Sequence, residues 1–175
     1  DKTKNLLFLT LALILVLVMA KVGLLLSATQ ISMASFAVPA DAIFFAAPLS
    51  AGAMLVCLVL GLEIALPFGL VAAICAALLF GGRLEIFLYF LVSNVMAAHW
   101  VQHCRERKVV IAAGTKVGLL NIIPAVAIGF FAASTGAAEL AWNGTLAFVG
   151  GLTGGIITLG VAPLVEMTFR YTTDI

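Results

Sequence analysis

His99 and His103 stand four residues apart in an apolar run, so on a helix both imidazoles project from one face. Two imidazoles at that spacing make half of a metal site, with Cys104 and Glu106 close by in sequence. Spacing fixes no third ligand, and histidines beside the basic residues Arg105, Arg107 and Lys108 are commonly just solvated. Solvated interfacial histidines are therefore the expectation, and metal binding is the alternative. Four other polar side chains, Ser93, Asn94, Asn121 and Asn143, interrupt long apolar stretches. In hydrocarbon such groups usually bond to a neighbouring helix, and lining a ligand pocket is the sharper alternative. Gly150, Gly151, Gly154 and Gly155 do packing: glycines at four-residue spacing strip one stripe of a helix of bulk and let a second backbone approach. Gly114 and Gly118 form a second such pair. Asn143-Gly144-Thr145 matches a glycosylation sequon, but it sits too close to an apolar run to be used as one.

The elements that must position these residues follow from composition. Of 175 residues, 64% are hydrophobic and 10% charged, where a soluble domain carries about a quarter charged. The chain is expected to be an all-α, polytopic transmembrane bundle. Charged residues mark the breaks: Asp41, Glu63, Arg83 with Glu85, the cluster Arg105 to Lys108, Glu139 and Glu166. Between them lie six spans, placed at about 5–26, 42–62, 64–82, 86–104, 112–134 and 140–163, each near the roughly 20 residues a crossing needs. No stretch alternates with period two, which excludes a membrane barrel. A formal charge of +1 offers no basic surface for nucleic acid, and three cysteines are too few for a disulfide framework. Short loops leave no room for a separate soluble catalytic domain.

Lys2, Lys4, Arg105, Arg107, Lys108, Lys116 and Arg170 would collect on one side and only Lys21 and Arg83 on the other. That bias places both ends of the segment in the cytoplasm. Lys21 reaches the far interface with its four-carbon stem. Residues 27–41, rich in Ser, Thr and Ala and carrying Pro39, form the one long loop, with length enough for a small re-entrant or lid element. Glu63 is accounted for by a tight turn at Gly61-Leu62. The sequence opens on Asp1 and stops at Ile175 without a natural-looking tail, so it is expected to be a segment of a longer polypeptide.

No nucleophile elbow, phosphate-binding glycine loop, HExxH or His-Asp dipeptide occurs. The segment is therefore expected to have no catalysis of its own. Its last residues run Ala162-Pro163-Leu164-Val165-Glu166-Met167-Thr168-Phe169-Arg170-Tyr171-Thr172-Thr173-Asp174-Ile175. Pro163-Leu164, Glu166, Phe169 and Thr172-Thr173-Asp174 resemble the point at which the membrane domain ends in bacterial seven-transmembrane receptors with an intracellular HD hydrolase. Val117-Gly118-Leu119-Leu120-Asn121, Ala47-Pro48-Leu49 at the opening of the second span, and the basic loop before the fifth are similar too. Arg170 stands where the family often has Gly, adding a positive charge on the inner side.

The resemblance implies a receptor of the bacterial inner membrane: one upstream helix, an extracellular domain, this bundle, and a cytoplasmic HD domain that hydrolyses cyclic di-AMP. No cofactor is expected in this segment, and divalent metal belongs to the downstream hydrolase. The implied partners are the lipid bilayer and the receptor's own extracellular and HD domains, with homo-oligomerisation left open. The segment from Pro163 to Asp174 would carry output from the sixth helix. The competing expectations are an inert membrane anchor and the substrate-binding subunit of a small-molecule transporter. The last would need a small-residue docking face on its first helix, where this sequence offers only Ala12 and Ala20 in a Leu-rich run.

Overall fold

A computed structural model describes residues 2–28, 39–102, 107–131 and 136–169. Among these, all regular structure is helical: α1 Lys2–Ala28, a 3-10 helix Ala40–Ala46, α2 Ser50–Leu60, α3 Leu62–Leu79, α4 Leu84–Val101, α5 Arg107–Phe131 and α6 Ala137–Phe169. Six segments are long and apolar enough to cross a bilayer. If all six cross, their even number would put both ends of the chain on one side, the terminal side.

The helices follow the charge-marked breaks, with differences at their ends. α1 begins at Lys2 and α5 at Arg107, because a basic first turn can extend into the interface. α6 runs on through Pro163 to Phe169. The second span differs in kind. It runs from Ala42 to Leu60, yet only its second part is α-helix. Ala47-Pro48-Leu49 does not open this span but divides it: Ala47 is extended (φ −65°, ψ 120°) between the 3-10 helix and α2. The broken span is also the most buried of the six, with 61% of its window inside the protein. Irregular backbone at this depth is tolerated only when protein covers it.

Packing follows from residue size. On α1, Phe8, Ala12, Val16 and Ala20 are buried at four-residue intervals, while Leu7, Leu11, Ile14, Val18, Val22 and Leu25 face outward. Val16 fills the space left by Gly52 of α2, where Phe68 of α3 also arrives, so three helices meet at one missing side chain. α2 turns into α3 at Gly61 (φ 88°, ψ 170°), in a region essentially reserved for glycine, and Glu63 follows in the first turn of α3. No atom lies within 4 Å of a Cβ built there, so Gly61→Ala is expected to cost about 1–3 kcal/mol through strain alone. Thermal unfolding in bicelles measures it; an unchanged midpoint would show that the turn relaxes freely.

α6 is the longest element. Its 33 residues extend about 50 Å against a hydrocarbon thickness of about 30 Å. It therefore reaches past the bilayer without leaving helical geometry. α5 and α6 form the most extensive helix pair, and α6 also packs on α2 and on the 3-10 helix.

Candidate functional site

The glycines of α6 serve two faces. A Cβ on Gly155 would stand 2.9 Å from the Gly114 Cα, and one on Gly151 would overlap the backbone of Gly118. This face is a backbone-to-backbone crossing with α5. The other face carries Gly150 and Gly154. A Cβ on Gly150 would collide with the Phe45 carbonyl and approach the Ala46 carbonyl carbon to 3.1 Å, and one on Gly154 would collide with the Ser50 hydroxyl. All four glycines thus make contacts within this chain, two against α5 and two against the break in the second span. Thr158 extends the second face by donating to the Gly154 carbonyl (2.8 Å) and the Ala51 carbonyl (3.4 Å).

At the break itself the backbone is short of donors. Pro48 has no N–H, and the Leu49 amide bonds to the Ala47 carbonyl (2.9 Å) instead of reaching back to Phe45. The Phe45 carbonyl, which also meets Gly150, is taken by a side chain: Tyr89 of α4 donates its hydroxyl to it at 3.0 Å. The Tyr89 ring meets Phe45 edge-on at 4.9 Å and Phe90 at 5.0 Å, and Phe90 stacks on Phe80, which packs on Phe44. Five aromatic rings therefore clamp the 3-10 helix to α4 and the end of α3.

The polar residues singled out by sequence divide among three places. Asn121 of α5 donates to the Ser93 hydroxyl of α4 at 3.0 Å, one helical turn from Tyr89 on the same helix. Asn94 turns the other way, donating to the Gly69 carbonyl of α3 at 3.0 Å. Asn143 packs into the space at Gly129, where a Cβ would stand 2.6 Å from its amide nitrogen; eight residues of helix, about 12 Å, separate that level from Asn121. Asn94 and Asn121 are 1% and 2% exposed, and the side-chain oxygen of each has no hydrogen-bond partner. Asn94→Leu removes one interhelical bond worth about 0.6–1.7 kcal/mol. It also removes an unpaired buried oxygen whose burial costs about 1–3 kcal/mol. Its stability is therefore expected to match or exceed wild type; a loss above about 2 kcal/mol in bicelle unfolding would contradict this.

The remaining candidates sit apart from this core. His99 is exposed, with its Nδ1 3.1 Å from the Gln102 amide nitrogen; His103, Cys104 and Glu106 lie outside the described residues. Among the described residues no three His, Cys, Asp or Glu side chains come together. Pro163 lies inside α6 and Glu166 is half-buried near its end; Thr172, Thr173 and Asp174 lie outside the described residues. A groove of about 740 Å³ opens between α1 and α3, lined by Ile14, Leu17, Val18 and Leu78 among others, with Lys21 its one charged residue. Such walls suit lipid chains, with the Lys21 stem leading its ammonium to the headgroups.

What these elements build is a buried polar and glycine-lined junction joining α4, α5 and α6 to a broken second span. A family model described as 7TM receptor with intracellular HD hydrolase matches residues 1–173. The chain belongs to that family. It is a multi-pass membrane receptor domain, and the family's own description couples such a domain to a hydrolase on the intracellular side. No curated protein and no solved structure matches it. In the 7TM receptor domain, Tyr89 is the residue that sequence reasoning missed. A tyrosine between Leu88 and Phe90 passes for core aromatic, and its signal was a hydroxyl inside a span in a chain whose Pro48 strands a carbonyl.

Proposed function

We propose that this domain is a sensor and transducer: contacts on the side opposite the termini bias two arrangements of the bundle, and α6 reports them to a cytoplasmic HD hydrolase that cleaves cyclic di-AMP. The observation that carries this reading is α6 itself. It touches the break in the second span through Gly150 and Gly154 and α5 through Gly151 and Gly155, then continues as one helix beyond the bilayer thickness to Phe169. A displacement at the break has a rigid element to move. The basic residues Lys2, Lys4 and Lys108 near the terminal side favour a cytoplasmic location for it in the inner membrane.

The nucleotide rests on family resemblance, and a direct assay tests it. The full-length receptor in nanodiscs, supplied with divalent metal, is expected to hydrolyse cyclic di-AMP. Turnover of another cyclic dinucleotide with none of cyclic di-AMP would overturn that part. An inert anchor would hold the hydrolase at the membrane equally well, but it gives no reason for one helix to engage both neighbours through bare backbone.

A further inference from the structure

We propose that Tyr89 is a hydrogen-bond switch, holding the second span broken while its hydroxyl donates to the Phe45 carbonyl and letting that span close into a continuous helix when it lets go. The inference deepens the transduction reading and rests on it for its consequence, though not for its chemistry. Tyr89 has one hydroxyl proton to donate. It goes to the Phe45 carbonyl at 3.0 Å, a contact that ties α4 to the break and is buried at both ends.

Once released, the Phe45 carbonyl needs another donor, and the backbone supplies it. Leu49, four residues on, is the α-helical partner of Phe45, and its amide is at present held by the Ala47 carbonyl only two residues back. When Tyr89 lets go, the Leu49 amide moves to Phe45 and Ala47 passes from extended to helical backbone. A residue before proline resists that conformation, which keeps the broken form favoured while Tyr89 holds it. The same chain shows that the closed form is attainable: Ala162 precedes Pro163 inside α6, in helical geometry. Closure shifts Phe45 and Ala46, the atoms on which Gly150 of α6 rests.

Ala47-Pro48 and Ala162-Pro163 are the two Ala-Pro pairs in the sequence. Labelling alanine with 13C and proline with 15N, and selecting Ala-Pro pairs by solid-state NMR of the chain in lipid, therefore gives one signal for the switch and one helical reference. Wild type is expected to show Ala47 extended and Ala162 helical. Tyr89→Phe, which removes the donor that holds the broken form and keeps the ring, is expected to shift the extended-to-helical ratio at Ala47 toward helix by about tenfold or more. Asn121→Leu, which alters a buried polar side chain in the same junction and leaves the Tyr89 hydroxyl on Phe45, is expected to leave Ala47 extended. Opposite outcomes for two core substitutions are not what simple loss of packing produces. An extended Ala47 in Tyr89→Phe, or a helical one in Asn121→Leu, overturns the switch. Hydrolysis by the full-length receptor separates this from the transduction reading: if Ala47 responds as stated and Tyr89→Phe leaves hydrolysis unchanged, the switch stands and transduction through it fails.

Discussion

Gly151→Ala is expected to destabilise the bundle by about 1–3 kcal/mol, even though alanine is the better helix former by about 1 kcal/mol. The reason is what the new methyl group meets. At Gly151 it overlaps the Gly118 backbone nitrogen and Cα, which no rotamer change can move aside, so α5 and α6 must separate. The tightly interlocked glycines, Gly114 with Gly155 and Gly118 with Gly151, lose contact together when that happens. Gly160 on the same helix is the control, because nothing lies within 4 Å of a Cβ built there. Gly160→Ala is expected to be neutral or stabilising by up to about 1 kcal/mol. Unfolding of both variants in bicelles gives the comparison. Equal effects would mean that the α5–α6 crossing is looser than the described geometry.

The second large effect concerns coupling. The three atoms nearest a Cβ built on Gly150 belong to Phe45 and Ala46 and none to α5, so its missing side chain makes room for the Phe45 carbonyl and Ala46. Gly150→Ala pushes the break in the second span away from α6 while leaving the α5–α6 crossing intact. Substitutions along a coupling route change it by about 0.5–2 kcal/mol, which is roughly 2- to 30-fold in an equilibrium. Basal hydrolysis by the full-length receptor carrying Gly150→Ala is therefore expected to depart from wild type within that range, with unfolding midpoints little altered. A rate indistinguishable from that of Gly160→Ala would remove Gly150 from the route.

Much of the fold was legible because charges are so costly in hydrocarbon that they must mark the breaks. Asp41, Glu63, Arg83 and Glu139 lie at or close to the ends of the described helices, and Gly61 supplies the turn just before Glu63. The break in the second span was not legible, since proline within an apolar run can begin, kink or interrupt a helix. Pro163 and Pro124 are carried inside helices here, while Pro48 interrupts one. At the break the Phe45 carbonyl is met by Tyr89, a residue 44 positions away in sequence. The glycine stripe on α6 could be read, but its two-sided use could not. Adjacent glycines at 150 and 151 point about 100° apart, and only the arrangement of neighbours shows that each meets a different backbone. The polar residues were found by type, yet their division among three contacts depends on which way each helix faces.

Transduction through α6 as a rigid rod is tested most directly by changing the phase of that rod. Inserting one to four alanines between Met167 and Thr168 rotates everything after them by about 100° per residue and lengthens the helix by about 1.5 Å per residue. Two alanines turn the output segment by about 200°, whereas four return it to within about 40° of its starting face. Hydrolysis by the full-length receptor is expected to depart furthest from wild type with two alanines and to recover with four. The same rate in all four insertions would show that the bundle anchors the hydrolase without driving it.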